Sequence, residues 1–254
     1  MKIATWNVNS VRQRERHVAD WLVRNEPDLL LLQEIKCEEA QFPALSFQGY
    51  ESHVVGQKSY NGVAILSRIP VTVTHRALPG LPHGDAQSRY IEVEAQGIAV
   101  ANLYLPNGNS GGDEGYAYKL AWMGLLADRA RALLDAERPC IFAGDYNVAP
   151  TDEDFAPGAL PATDALVRPE TRAAFRTLIW QGLTDAVRAV KPSGRVYTFW
   201  DYQAGAWRRD SGLRIDHALL SPDLAERLVS AAPDREERAR EQPSDHVPVV
   251  IEVG

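Results

Sequence analysis

The sequence predicts an α/β fold in which two sheets pack face to face with helices outside. Three observations lead there. Asp28 to Gln33 carries four consecutive leucines, the composition of a strand buried on both faces. The elements run strand, helix, meander, helix and strand, then helices and further strands, so the chain reads as two halves of similar plan without a sequence repeat. In Ile141-Phe142-Ala143-Gly144-Asp145-Tyr146-Asn147, an apolar run climbs to a glycine and delivers an acid and an amide two positions apart. Strand alternation puts Asp145 and Asn147 on the same side, just beyond a carboxyl end, where open α/β sheets place their ligands.

In chain order, Lys2 to Asn7 alternates Ile3, Thr5 and Asn7 against Ala4 and Trp6, and reads as a first strand. Val11 to Asn25 reads as a helix with Val18, Trp21 and Leu22 on one face, closed by Pro27. The leucine strand follows and ends in Glu34. Short strands are then expected at Tyr50 to Val55, Gly62 to Ser67, Val71 to Leu78, Arg89 to Ala95 and Ile98 to Tyr104, with turns at Asn61-Gly62 and Gln96-Gly97. Tyr116 to Glu137 carries the longest helical pattern and leads into the strand ending at Asp145. Two helical segments, Pro169 to Trp180 and Leu183 to Val190, precede four expected strands at Val196 to Trp200, Leu213 to Leu220, Leu228 to Ala232 and Val247 to Val253. Asp234 to Gln242 is strongly charged and reads as a solvated loop.

At 254 residues the chain suits one domain, residues 1–254, with a large core. Hydrophobic residues at 45% and charged residues at 24% are ordinary for a globular protein. No segment approaches the roughly 18 apolar residues of a membrane span, and the amino terminus enters a strand without a signal core. Cys37 and Cys140 are too few for a disulfide framework, so a cytoplasmic location is expected. A net charge of -7 argues against holding nucleic acid by bulk electrostatics, yet carboxylates gathered around a divalent metal lower net charge without excluding a nuclease.

The polar residues at strand ends are Asn7, Glu34, Tyr104, Asp145, Asn147, Asp216 and the pair Asp245-His246. Their types suit phosphate hydrolysis. Magnesium prefers oxygen ligands and takes one or two carboxylates, so Glu34 with Asp245 or Asp145 would make a site. A carboxylate beside His246, such as Asp216, would set its tautomer and raise its basicity. His217 and the other histidines have no supporting constellation.

Thr5-Trp6-Asn7-Val8-Asn9, Pro27-Asp28-Leu29-Leu30-Leu31-Leu32-Gln33-Glu34-Ile35-Lys36, Gly144-Asp145-Tyr146-Asn147-Val148-Ala149-Pro150, Gly212-Leu213-Arg214-Ile215-Asp216 and Ser244-Asp245-His246 together resemble the exonuclease III group of abasic-site endonucleases, in the right order and over nearly the whole chain. The resemblance implies a four-layer α/β sandwich of two packed mixed sheets flanked by helices. It implies hydrolysis of a DNA phosphodiester with Mg²⁺, or Mn²⁺ as a substitute, leaving 3′-hydroxyl and 5′-phosphate ends. By motif, Glu34 would be the principal metal ligand, with Asn7 and Asp245 near the metal. His246 paired with Asp216 would polarise the scissile phosphate. Asp145, oriented by Asn147 and Asn7, would activate water, and Tyr104 would contact the phosphate or leaving group. Whether the histidine or the aspartate is the base stays open.

The same resemblance makes Phe199 in Tyr197-Thr198-Phe199-Trp200 the candidate for a base-free sugar pocket and Trp207 a wedge against the duplex. It adds Lys36, Lys58, Arg89, Asn107, Leu213 and Arg214 as DNA contacts. Arg12, Arg14, Arg208 and Arg209 would extend a basic face. Leu213 stands where some relatives have tryptophan, matching the bacterial exonuclease III pattern. Asp185-Ala186-Val187-Arg188 departs from the family's Ser or Thr and aromatic. The expected partner is double-stranded DNA with abasic sites or 3′ ends, engaged by a monomer. The alternatives are a phosphoesterase of the same superfamily with a non-DNA substrate, and a non-catalytic DNA-binding module.

Overall fold

A computed structural model describes all residues, 1–254. The first half holds β1 (Lys2–Asn7), α1 (Glu15–Asn25), β2 (Leu29–Gln33), β3 (Glu51–Val55), β4 (Val63–Ser67), β5 (Thr72–His75), β6 (Tyr90–Ala95) and β7 (Ile98–Tyr104). The second holds α2 (Gly112–Asp135), β8 (Cys140–Asp145), α3 (Pro169–Trp180), β9 (Thr184–Asp185), α4 (Ala186–Val190), β10 (Asp216–Leu220), α5 (Pro222–Glu226), β11 (Leu228–Pro233) and β12 (Val249–Val253). They form two six-stranded sheets, ordered β11-β12-β1-β2-β4-β3 and β5-β6-β7-β8-β10-β9. Each sheet has one parallel pair at its centre, β1 with β2 and β7 with β8, and antiparallel neighbours outward. The two-half plan read from element order is thus a property of the sheets.

Four layers follow from where alternating side chains go. Ile3, Leu29, Leu31 and Ile65 of the first sheet meet Ile91, Val93, Val100, Ile141 and Leu220 of the second in a central apolar layer. The opposite face of the first sheet, with Ala4, Trp6, Leu30 and Leu32, is covered by Val18, Trp21 and Leu22 of α1. The opposite face of the second, with Ala101, Leu103 and Phe142, is covered by Trp122, Met123 and Leu126 of α2 and Phe175 of α3. Both faces of the leucine strand are therefore dry, as its composition requires. No helix is long and apolar enough to cross a membrane.

Several expected boundaries moved for identifiable reasons. The first helix begins at Glu15 rather than Val11, because residues 11–14 make a turn in which Arg14 N–H donates to Ser10 O. Val196 to Trp200 forms no regular strand; Phe199 makes only single bridges to Leu213 and His246. Leu183 to Val190 splits into β9 and α4, with the Asp185 carboxylate accepting from the Val187 and Arg188 amides as a cap. Asp234 to Gln242 is not simply solvated: Glu237 and Arg238 are buried, Glu237 pairing with Arg24 and Arg238 donating to Trp200 O.

At Gly144, β8 is pressed onto β7: a Cβ there would lie 1.9 Å from Leu103 O. Gly144→Ala is expected to cost about 1–3 kcal/mol through overpacking, read as a lower urea midpoint. An unchanged midpoint would contradict this close approach.

Candidate active site

Strand register assembles the site. Tyr104 faces Asp145 across β7 and β8, and Asp145 faces Asp216 across β8 and β10, so three candidate side chains form a row at one end of the second sheet. Two acids directly opposite on antiparallel strands repel each other when ionised. His246 relieves this. Its Nδ1 lies 2.9 Å and 3.1 Å from the two Asp216 oxygens, and its Nε2 lies 3.8 Å from Asp145 Oδ2. Asp216 also accepts from the Thr198 hydroxyl at 2.6 Å. All three members of this acid–histidine–acid line are buried.

The first sheet supplies the other arm. Asn7, fully buried at the end of β1, donates from Nδ2 to Glu34 Oε1 and to Asp145 Oδ2, both at 2.9 Å. Its Oδ1 accepts from the Asn9 amide at 3.0 Å. Asn7 thus turns its NH₂ to the two carboxylates, while its oxygen accepts one bond and keeps a second lone pair. Glu34, one residue past β2 at φ +49°, pairs with Lys36 Nζ at 2.8 Å. Lys36 also donates to Asn9 Oδ1 at 2.5 Å, and Asn9 Nδ2 reaches Asp245 Oδ1 at 3.1 Å. An ammonium thus already sits between oxygens of Glu34 and Asn9, with Asp245 linked to it through Asn9, and an oxygen set of this kind suits a hard divalent cation. The oxygens and imidazole nitrogen of Asp145, Asp216 and His246 also come within 4.8 Å of one another. The imidazole fills the space between those acids, so the cluster is better suited to moving a proton than to enclosing a hard cation.

The electrostatics separate the two arms. Burial raises Asp145, and Asp216 adds to this, against the pull of His246 and the Asn7 hydrogen bond, leaving its carboxyl near 7. Burial alone would lower His246, but Asp216 and Asp145 together overcome that and hold the imidazole up to about 10. For Glu34, burial is outweighed by the charge of Lys36 and by hydrogen bonds from Asn7 and Lys36, and its carboxyl falls below the usual range. Tyr104 is pushed well above the phenol range by burial and by the charges of Glu34 and Asp145.

Asn147 departs from strand alternation, because β8 ends at Asp145 and Asn147 adopts φ +49°. Its backbone N–H, rather than its side chain, donates to Asp145 Oδ1 at 2.9 Å. Its side chain binds Leu105 O and accepts from Asn107 Nδ2. Phe199 packs edge-on against the His246 ring, with centroids 4.9 Å apart, and pairs by backbone with Leu213, which is buried beside it. Trp207 is not a free wedge: it packs against Trp200 at 4.8 Å, under the guanidinium groups of Arg235 and Arg238.

The expected basic face is thinner than its sequence count. Arg12, Lys58, Arg208 and Arg209 are exposed. Arg14 is buried, donating to Asn9 O, Tyr202 and Pro243 O, while Arg89 lies 4.7 Å from the Tyr104 ring centroid. Arg214 requires correction as a DNA contact. It is buried, with Nε on Asp154 at 2.7 Å, Nη1 on Asp185 at 2.7 Å, and His217 Nδ1 at 3.0 Å. Arg188 pairs with the same Asp154. The network explains the departure at Asp185-Ala186-Val187-Arg188, whose two charged residues are partners of this hub. His217, given no role from sequence, belongs to it. Nothing in the local sequence marks these pairs, which join residues 29 and 60 positions apart.

A four-layer sandwich carrying this cluster at its strand ends belongs to the phosphoesterase class. The model of the endonuclease/exonuclease/phosphatase family matches residues 4–246, and the chain belongs to that family of metal-dependent nucleases and phosphatases. The resemblance carried by the motifs is therefore confirmed. Exodeoxyribonuclease III of Haemophilus influenzae is 33% identical, covering 99% of both chains. Among solved structures, a 3′ phosphatase from Neisseria bound to product DNA hairpin is 39% identical with a TM-score of 0.94, covering 100% of this chain and 99% of that one. An AP endonuclease from Archaeoglobus fulgidus is 38% identical with a TM-score of 0.92 and the same coverage.

Removing the hub's cation leaves two acids buried without it. Arg214→Met is expected to cost about 3–5 kcal/mol near neutral pH. Although burial opposes it, Arg214 holds Asp154 and Asp185 below the usual carboxylate range. Their stabilisation is present above about pH 4 and is lost as pH falls through the folded-state values. The deficit should therefore shrink in acid; urea titrations giving the same deficit at both pH values would contradict the network.

Proposed function

We propose that this chain is a DNA-repair nuclease that hydrolyses phosphodiester bonds at abasic sites and removes nucleotides 3′ to 5′ from duplex DNA. The products carry 3′-hydroxyl and 5′-phosphate ends. The observation that carries the reading is the Asp216–His246–Asp145 line joined by Asn7 to Glu34. It offers one group to accept a proton, one cation to face a phosphate and one ionised acid for a metal.

Glu34, with Asp245, holds Mg²⁺, for which Mn²⁺ substitutes. The metal offsets negative charge on the scissile phosphate when bound. His246, kept cationic by Asp216 and Asp145, binds a phosphoryl oxygen. Asp145 takes a proton from the attacking water, held in place by the Asn147 amide and by Asn7. Tyr104, kept as a phenol, donates a hydrogen bond to the phosphate or the leaving oxygen. Asp145 is favoured over His246 as the base because a group near 7 can be ionised at working pH, whereas an imidazole near 10 already carries its proton. Phe199 and Leu213 form the wall against a base-free sugar, and Lys36, Lys58, Arg89 and Asn107 meet the backbone around it. The proposed site needs no side chain from a second copy, and the proposed setting is a monomer acting on DNA in the cytoplasm. A second reading, removal of a 3′ phosphate, uses the same groups and is favoured by the likeness to the Neisseria 3′ phosphatase.

Pure protein given an abasic-site duplex, a recessed-3′ duplex and a 3′-phosphate duplex should cleave the first two with Mg²⁺ and none with chelator. Turnover of the third alone would move the assignment to the phosphatase. Glu34→Gln should raise the metal concentration needed for half-maximal rate, and His246→Ala should cost about 10²–10³-fold in kcat. Full activity in either variant removes that residue from its role.

The pH profile tests Asp145. Because burial raises its pKa, the carboxyl is protonated below about 7, so kcat/KM should rise between about pH 6 and 8 and then level off. A flat profile over that range would exclude Asp145 as the base.

A further inference from the structure

Helix α2 buries a lysine that the chemistry above does not use. Lys119 is 0% exposed and pairs with no carboxylate; Nζ donates to Asn107 O at 2.9 Å and Asn147 O at 2.6 Å. Burial pulls the amine down to about 7 against the weaker attraction of Asp145 and Asp164. Keeping an ammonium from water without a counter-ion costs free energy, and a methionine or leucine would fill a core helix position more cheaply. The buried amine therefore calls for a role.

Its two acceptors lie on the loops leaving β7 and β8, the parallel pair that carries Tyr104 and Asp145. These loops are tied in front by Asn107 Nδ2 to Asn147 Oδ1 at 3.0 Å and by Asn147 Nδ2 to Leu105 O at 2.9 Å. Behind them only Lys119 reaches both. Its stem also needs the glycine in the first loop: a Cβ at Gly108, φ +87°, would lie 2.7 Å from Lys119 Cδ. The Asn147 amide, fixed by this arrangement in a left-handed conformation, is the one that donates to Asp145 Oδ1.

We propose that Lys119 is a positioning residue. By holding both loop carbonyls it fixes the Asn107–Asn147 pair and, through the Asn147 amide, aims the Asp145 carboxylate before substrate arrives. The amine suits this task because, on its four-carbon stem, it donates to two carbonyls at once, as an apolar side chain cannot. The inference rests on the reading of Asp145 and Asn147 as parts of the nuclease site.

Lys119→Met keeps the stem and removes the donors. On an abasic-site duplex with Mg²⁺, kcat should fall about 10- to 100-fold while KM changes less than about threefold. Added to Asn147→Ala, it should cost less than about twofold more, because both act on one element. A folded Lys119→Met with wild-type kcat overturns the proposal, as does a loss that multiplies fully with that of Asn147→Ala. Should Lys119→Met not fold, Lys119→Gln, whose amide can donate to one carbonyl, carries the same kcat-against-KM and double-variant test. The parent readings fail separately: a wild-type protein inert on the duplex strikes the nuclease assignment itself, whereas an Asn147→Ala protein with full activity leaves that assignment standing and removes Asn147 as the orienter of Asp145.

Discussion

One side-chain amide holds the two sheets to a common purpose. Asn7 Nδ2 has two hydrogens, and they go to Glu34 at the end of one sheet and Asp145 at the end of the other, both at 2.9 Å. Beneath it, Gln33 Nε2 donates across the layer to Asn102 Oδ1 at 2.7 Å, and Asn102 donates back to Leu32 O and Ala64 O. Leucine, isoleucine and valine set the distance between the sheets but tolerate sliding. Directional bonds in a low-dielectric layer fix the offset, since a partly satisfied buried network is costly. The site can be built from residues of six strand ends and loops because this offset is single-valued.

That rigidity lets opposed charges be used rather than avoided. Asp145 and Asp216 face one another across a strand pair, His246 lies between them, and the raised Asp145 and the raised His246 are two sides of one balance. Glu34, by contrast, is kept ionised by Lys36. The proposed division into a proton-handling arm and a metal-holding arm is a division of environments among similar carboxylates. The acid at the end of the apolar Ile141 run is in the drier of the two.

Much of this was legible because it is written at strand ends. Apolar runs ending in Asn7, Glu34, Tyr104, Asp145 and Asp216 gave both the sheets and the cluster, and motif order gave the family. The pairing of His246 with Asp216 followed from chemistry that needs an oriented imidazole. What sequence concealed was the fate of long basic side chains. Arg14, Arg214 and Lys119 look like surface residues, and only tertiary partners distant in sequence show that they are buried. Arg214 sits within a recognised motif, yet its guanidinium turns inward because Asp154 and Asp185 await it. Lys119 lies in a helix whose neighbouring charges gave no sign that it reaches the loop carrying Asn147. The charged run at Asp234 to Gln242 misled for the same reason, since pairs such as Arg24 with Glu237 cancel what composition counts as solvation.

Asn7 serves both arms at once, and Asn7→Ala tests this coupling most directly. Mn²⁺ affinity, followed by electron paramagnetic resonance, and turnover at saturating metal can be measured on the same preparation. Both should fall, metal affinity by about 10–100-fold as expected when a partner orienting a ligand is lost. Wild-type metal affinity together with impaired turnover, or the reverse, would show that the two arms are independent and would contradict it.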